Sequence, residues 1–293
     1  MNKQGILVVN AFISTPGFSD AYERLGLAAR RNGVTLSLKT NAELVFDAAN
    51  GRLLNAKLPD FAVFWDKDVR LALQLEAAGV RLYNSARAIA LCDDKALTHI
   101  ALQKARIPMP KTVVAPFTYP KAGYGDFLFL HEAEKLFSYP MVVKEVFGSY
   151  GKQVYLAQNA EEVKAILKKT GDKPVLLQEF ISESAGTDIR AIVVGEKIVA
   201  SMKRKNDRDF RANLSIGGTA EPYTLTSEEA FIVRKAAKEL GLDFCGVDIL
   251  NTKNGPLICE VNSNAQFRGI FQCTGVDAAE HIMQYIMHQE KMV

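Results

Sequence analysis

Apolar residues in this chain fall into short runs separated by polar, turn-forming clusters. Near the N-terminus GILVVN, VTLSLKT and FAVFW read as strands. A helix through about Asn32, entered by the turn-rich FISTPGFSD, and another from about Val69 to Ala78 lie between strands. Such alternation predicts a parallel α/β unit. Ligands of these sheets sit beyond the carboxyl ends of the strands, which singles out Asn10 and Trp65, Asp66, Lys67 and Asp68.

After Asn84 the pattern changes. SARAIALCDDKALTHIALQKARIP predicts one helix as far as Pro108, with DDK at its middle. A strand at TVVAP, a Tyr-, Pro- and Gly-rich loop from Phe117 to Asp126 and a short helix over 131–137 follow. Met141 to Val146 is a strand bearing Lys144, and GSYGKQ turns it into a second strand, Gln153 to Ala157. A helix from about Ala160 to Lys169 leads to the strand VLLQEFI. TDIRAIVVG and KIVASMKRK form a hairpin, Ser227 to Leu240 a helix, GVDIL and PLICEVN a hairpin around NTKNG, and a closing helix ends near His288.

The last hairpin carries candidate metal chemistry. Glu260 and Asn262 are two apart and share a face. A loop of odd length, within the usual roughly three to five residues, pairs even positions with even ones and brings Asp248 to that face. Val247, Ile249, Leu257, Ile258 and Val261 are too apolar for an exposed ladder, so carboxylates on this sheet need a partner to offset their desolvation. Two carboxylates and an amide oxygen suit Mg²⁺, with Mn²⁺ a competent substitute.

Other stretches add candidate anion contacts. Gly148 and Gly151, with Ser149 and Tyr150 between them, join two strands by a loop whose backbone N–H groups can approach anionic oxygens. It is not a Walker A loop, and alone it describes an ordinary hairpin better than a phosphate site. The strand end Gln178, Glu179, Phe180 and Ile181 suits an adenine edge. Asp188 and Arg190 share a strand face, where one can accept from a ribose hydroxyl and the other hold a phosphoryl oxygen. KRKNDRDFR is strongly basic and precedes the uncharged, Gly-bearing ANLSIGGTA, and a bound phosphate or carboxylate would order both.

Composition narrows the classes. At 293 residues the chain exceeds a typical core, and two or three packed units are expected. The net charge of +3, from 36 basic and 33 acidic residues, is too even to argue for general nucleic-acid binding, and no nucleic-acid partner is expected. Cys92, Cys245, Cys259 and Cys273 stand singly, which indicates neither a zinc site nor a disulfide framework. Ile6 to Val9 is too brief for a signal-peptide core, and no apolar segment approaches a membrane span. The expectation is a cytoplasmic protein with no membrane partner.

The ordered series DDK, VVKEVFGSYGKQV, LLQEFI, TDIRAIVVG, DFRANLSIGG, GVDIL and ICEVN resembles the ATP-grasp superfamily, and within it the RimK-like ligases. The resemblance is most specific from Asp93 to Ile282. It implies an α/β fold in which an N-terminal parallel α/β domain, 1–92, precedes two ATP-grasp subdomains, 93–180 and 181–293, with the nucleotide between them. It implies that Lys95 and Lys144 contact ATP phosphates, that Gly148 to Gly151 close over them, and that Gln178 to Ile181 grip adenine. Asp188 resembles the ribose-binding acid, Arg211 and Asn213 match positions near phosphoryl transfer, and Asp248, Glu260 and Asn262 match the Mg²⁺ ligands. Arg190 and Arg204 match residues that steady the transferred group.

The implied reaction is ATP-dependent amide formation through an acyl phosphate, joining an amino acid such as glutamate to a peptide, carrier protein or small metabolite. No protein nucleophile is needed. A homo-oligomer is implied as well. After Asn262 the sequence departs from a Ser-Pro-Gly pattern, reading Ser263-Asn264-Ala265-Gln266-Phe267-Arg268, and Arg268 is a candidate partner for an acceptor carboxylate. Two other readings stay open: a non-catalytic ATP-binding regulator, and a phosphotransferase that stops before ligation.

Overall fold

The N-terminal apolar runs pair in parallel. In chain order come β1 (Gln4–Val9), α1 (Pro16–Arg31), β2 (Thr35–Thr40), the short pair β3 (Phe46–Asp47) and β4 (Arg52–Leu53), β5 (Phe61–Phe64), α2 (Val69–Ala77), β6 (Arg81–Tyr83) and α3 (Ala86–Asp93). The parallel sheet has the order β2-β1-β5-β6. This computed structural model describes residues 4–13 and 16–291. Ser14 and Thr15, within the expected FISTPGFSD turn, lie outside the described residues.

The single helix expected across DDK is two. Asp94 adopts extended backbone and its side chain accepts from the Leu97 amide, ending α3 and capping α4 (Lys95–Lys104). Lys95 therefore stands in a first turn, not at mid-helix. Then follow β7 (Thr112–Val114), α5 (Leu128–Leu136), β8 (Met141–Glu145), β9 (Val154–Ala157), α6 (Ala160–Thr170) and β10 (Val175–Glu179). Helix α5 begins earlier than expected because Asp126 Oδ1 accepts from the Leu128 amide. These strands form an antiparallel sheet, β7-β10-β8-β9, around a core that includes Leu130, Met141, Val143, Val163 and Leu177.

The remaining elements are β11 (Thr187–Val194), β12 (Lys197–Lys205), β13 (Thr219–Pro222), α7 (Ser227–Glu239), β14 (Phe244–Thr252), β15 (Gly255–Asn262), α8 (Arg268–Thr274) and α9 (Ala278–Lys291). Their sheet runs β13-β12-β11-β14-β15. Ile189, Val247, Ile249, Ile258 and Val261 bury against Ile232, Val233 and Ala236 of α7. A second core joins this sheet to the first one, with Leu25, Phe61, Trp65, Ile192, Phe244, Phe267, Ile282 and Ile286 in contact.

Asn84 fastens that junction. It is fully buried, and its Nδ2 donates to the carbonyls of Phe244 (2.9 Å) and Ser263 (3.0 Å). Its Oδ1 accepts from the amides of Asp243 (2.7 Å) and Phe244 (3.2 Å). One amide thus ties the end of the parallel sheet to both strands of the last hairpin region.

That hairpin reaches the expected facing by a different route. Thr252 pairs with Gly255, leaving a two-residue turn, Lys253–Asn254, an even length that alone would set Glu260 opposite Val247. A β-bulge intervenes. Ile249 pairs with Ile258 while Asp248 pairs with Glu260, so Cys259 is the extra residue. The bulge restores the parity, and Asp248, Glu260 and Asn262 leave the core side while Ile258 and Val261 keep it.

Candidate active site

Two adjoining cavities receive the polar positions of the third sheet. The first, about 110 Å³, is bounded by Lys95, Lys144, Gly148, Ser149, Gly151, the strand end Gln178 to Ile181, Asp188, Arg204, Arg211, Asn213, Asp248 and Glu260. Its apolar wall is Val142, Phe180, Ile181, Phe210 and Leu250, with Cys259 at the bulge. The second, about 740 Å³, lies toward the parallel sheet and is bounded by Asn10, Trp65, Asp66, Lys67, Asp68, Tyr150, Arg190, Asn262, Asn264 and Gln266 among others. Ser149, Asn213 and Glu260 line both.

Side-chain alternation explains the cluster at their seam. Arg190 on β11 pairs with Asp248 on β14, which pairs with Glu260 on β15, and Asp188 pairs with Arg204 on β12. Arg190 donates to Asp248 through Nε (2.7 Å) and NH2 (2.6 Å). Arg204, 2% exposed, holds Asp188 by two bonds of 2.6 Å and reaches Asp248 at 3.1 Å. Burial pushes the Asp248 carboxyl up, but Arg190 and then Arg204 outweigh it and hold it at about 2. Lys95 Nζ sits 3.4 Å from Glu260 and donates to the Gly148 carbonyl at 3.0 Å. Lys144 Nζ lies 3.7 Å from Cys259 Sγ.

The glycine loop is held from the opposite side. Arg211 pairs with Asp209 (2.9 and 2.7 Å) and donates through NH1 to the Gly151 carbonyl at 2.5 Å. Gly151 has a φ of +70°, and a Cβ there would stand 2.9 Å from Asn213 Oδ1. Gly148 has no such φ, yet a Cβ would stand 2.7 Å from Gln153 Oε1. Gly151 is therefore required by its left-handed backbone, whereas at Gly148 it is the Gln153 side chain that would have to give way. Gln178 spends its amide on the protein, at 3.0 Å from His99 Nε2 and 2.9 Å from Thr112 Oγ1, so it shapes the cavity wall from behind.

Among the described residues no group of three or more His, Cys, Asp or Glu side chains forms a metal cluster. The donor set that does exist is two carboxylates facing across β14 and β15, with Asn262, whose Nδ2 is buried without a partner, on the same face. These hard oxygen donors fit Mg²⁺ when phosphate oxygens complete its shell. Arg190, Arg204 and Lys95 balance the carboxylate charge in its place.

Arg268 stands apart from the other candidates. It is exposed at the start of α8 and lines neither cavity, because Phe267 before it turns into the core. Its place toward the second cavity is taken by Asn264 and Gln266. Arg190 and Tyr150 also belong to the second cavity, not the first. Phe210, Leu250 and Cys259 were missed. Leu250 carried a readable signal, being two residues from Asp248, but Cys259 depends on the bulge.

Comparison with known proteins agrees with this architecture. A family model described as a RimK-like ATP-grasp domain matches residues 92–286. The chain is 38% identical over 216 residues to a probable alpha-L-glutamate ligase of Maridesulfovibrio salexigens, covering 73% of this chain and 69% of that protein. A protein of the same description from Vibrio atlanticus is 38% identical over 221 residues, covering 74% and 71%. In three dimensions it is similar to the RimK domain ATP-grasp protein of Sphaerobacter thermophilus, with a TM-score of 0.74 at 22% identity over 96% of this chain and 98% of that one. It is also similar to the D-alanine–D-alanine ligase of Bacillus anthracis crystallised with ATP, with a TM-score of 0.74 at 16% identity over 100% and 99%. At these identities the structural likenesses bear on the fold alone. The match over residues 92–286 and the identity shared with the two ligases place the chain in the RimK-like ATP-grasp family of ligases.

Proposed function

We propose that the chain joins a carboxylate to an amine at the expense of ATP, making an acyl phosphate at the seam between its two cavities. The observation that carries this reading is the shared wall: Ser149, Asn213 and Glu260 border both spaces, so a phosphoryl group can pass from a nucleotide in one to a carboxylate in the other. Residues 1–92 supply much of the acceptor side, 93–180 the cover, and 181–293 the charged floor.

In this reading adenine lies against Val142, Phe180, Ile181, Phe210 and Leu250, and Lys95, Lys144 and Arg211 hold the phosphates. Asp188, fixed by Arg204, faces the ribose. A cavity of 110 Å³ is below the roughly 300 Å³ typical of small-molecule sites, so the loop from Gly148 to Gly151 lifts to admit the nucleotide and closes behind it. Mg²⁺ at Asp248, Glu260 and Asn262 supplies charge neutralisation on the phosphate oxygens.

A carboxylate oxygen attacks the γ-phosphorus and ADP leaves. Arg190 faces the second cavity and steadies the acyl phosphate, after which an amine attacks the acyl carbon and phosphate departs. The closed loop keeps water out. The relatives described as probable alpha-L-glutamate ligases support glutamate as the added amino acid, with a peptide, protein tail or small metabolite as its partner. A cytoplasmic setting accompanies this reading: no helix among the described residues is long and apolar enough to cross a membrane, and the four cysteines are free.

The test is ADP release from Mg²⁺-ATP across a panel of acids and amines, with mass analysis of products and Asp248→Ala beside the wild type. A new amide mass that requires both substrates and is absent in the variant is expected. Amine-independent ADP release with a stable phosphorylated product would favour a phosphotransferase, and nucleotide binding without turnover a regulator.

A further inference from the structure

The second cavity holds unmet hydrogen-bonding capacity that the proposed phosphoryl transfer does not use. Every buried side-chain polar atom left without a partner among the described residues belongs to its lining: Trp65 Nε1, Asn262 Nδ2, Asn264 Oδ1 and both Gln266 amide atoms. Trp65 is only 2% exposed, so its indole N–H cannot be satisfied by bulk water. An array of this kind, buried and mutually unsatisfied, marks a space shaped for a polar occupant.

Asp66, at the carboxyl end of β5, is the charged member of the array. It is 7% exposed, and its carboxylate accepts from the Lys67 amide (2.7 Å) and from Asn10 Nδ2 (3.2 Å to each oxygen). Those contacts are all donors to the carboxylate, so the geometry is that of an ionised acid. No Lys, Arg or His among the described residues forms an ion pair with it. Of the cations that line the cavity, Lys67 is committed to Asp93 and Arg190 to Asp248, and Arg70 is exposed to solvent. Burial pushes the Asp66 carboxyl up from its ordinary range, a cost that an arriving cation removes. Its own carbonyl accepts from Asn264 Nδ2 at 2.9 Å, which locks the acid to the amide-bearing segment after β15.

We propose that Asp66 receives the cationic amine of an α-amino-acid substrate in the second cavity, with Trp65, Asn264 and Gln266 completing its polar contacts. This rests on the ligase reading and narrows it: the substrate held there carries a protonated amine and is not a simple carboxylic acid. Asp66 is a binding residue in this reading: it lines the second cavity and not the first, and it has no hydrogen bond or ion pair with Arg190, Asp248 or Glu260.

The test is calorimetric binding of the twenty common amino acids to the full chain with ADP and Mg²⁺, followed by the des-amino analogue of the best binder. Asp66→Asn keeps size and hydrogen-bonding shape while removing the charge. Amino-acid affinity is expected to fall about ten-fold or more in that variant, with ADP affinity unchanged as the control for folding. The des-amino analogue is expected to bind wild type about as weakly. Equal binding by Asp66→Asn and wild type, equal binding of the des-amino analogue to wild type, or no amino acid binding at all overturns the proposal. Amide formation with an unchanged KM in Asp66→Asn would remove this inference and leave the ligase standing. Asp66-dependent binding without any amide product would do the reverse.

Discussion

Arg190 and Asp248 face each other across neighbouring antiparallel strands and meet in a two-bond fork, at 2.7 and 2.6 Å. The fork lets a cation stand over the proposed metal-binding carboxylate while its guanidinium borders the second cavity. Lys cannot reproduce that planar contact. Arg190→Lys is therefore expected to lower kcat about 100-fold, with the KM for ATP moving little, since Arg190 does not line the nucleotide cavity. Steady-state kinetics on each substrate separately would show it, and a rise confined to the KM for ATP would refute it.

Glu260 and Asn262 should control metal demand. Glu260→Gln keeps the hydrogen-bonding shape but removes a charge, and the Mg²⁺ concentration for half-maximal ADP release is expected to rise at least about ten-fold. Titration of activity with Mg²⁺ at fixed ATP measures this. An unchanged midpoint would move the metal elsewhere.

Gly151→Ala places a Cβ at left-handed φ and 2.9 Å from Asn213 Oδ1. The strain, about 1 to 2 kcal/mol, falls on the loop proposed to cover the nucleotide. The KM for ATP should rise about ten-fold while the melting temperature stays near that of the wild type. Nucleotide titration and thermal unfolding on the same preparation separate the two effects.

His99 links the nucleotide wall to the start of α4. Its Nδ1 donates to the Lys95 carbonyl (2.8 Å) and its Nε2 accepts from Gln178 (3.0 Å), an arrangement that requires the neutral ring. Burial lowers its pKa from the ordinary 6.5, so the unfolded chain takes up a proton before the folded one does. Stability from this site is full above 6.5 and declines as pH falls toward and through the lowered folded value. Thermal unfolding from pH 8 to 5 is expected to show this slope in wild type and a shallower one in His99→Gln.

Asn84→Ala would strip four hydrogen bonds from buried backbone groups at once. A loss of about 3 kcal/mol is expected, and with it a melting temperature lower by about 5 °C. Differential scanning calorimetry is the direct check.

Periodicity made most of the elements legible, because alternation and helical spacing follow from which face is buried, as in FAVFW and VLLQEFI. What stayed hidden depends on single side chains acting on backbone. Asp94 divides a helix by capping Leu97, a choice invisible while the stretch is read only for apolar spacing. Asp248, Glu260 and Asn262 were found together, although by an argument about loop parity that the two-residue turn does not satisfy. Arg268 looked available because its segment follows Asn262 directly, yet at the start of α8 it is exposed. Asn84, unremarkable in sequence, matters through contacts some 160 residues away.

The extra residue at Cys259 divides the last hairpin into two lengths that answer to different constraints. Beyond it, the Lys253–Asn254 end can gain or lose residues and re-pair locally, because the bulge insulates the ladder from Asp248 inward. Drawing Cys259 into the ladder instead of bulging it out has the opposite effect. It would pair Cys259 with Asp248 and Glu260 with Val247, rotate Glu260 and Asn262 into the apolar layer against α7 and bring Val261 out to the cavities, exchanging the chemistry of the strand without altering a single polar residue.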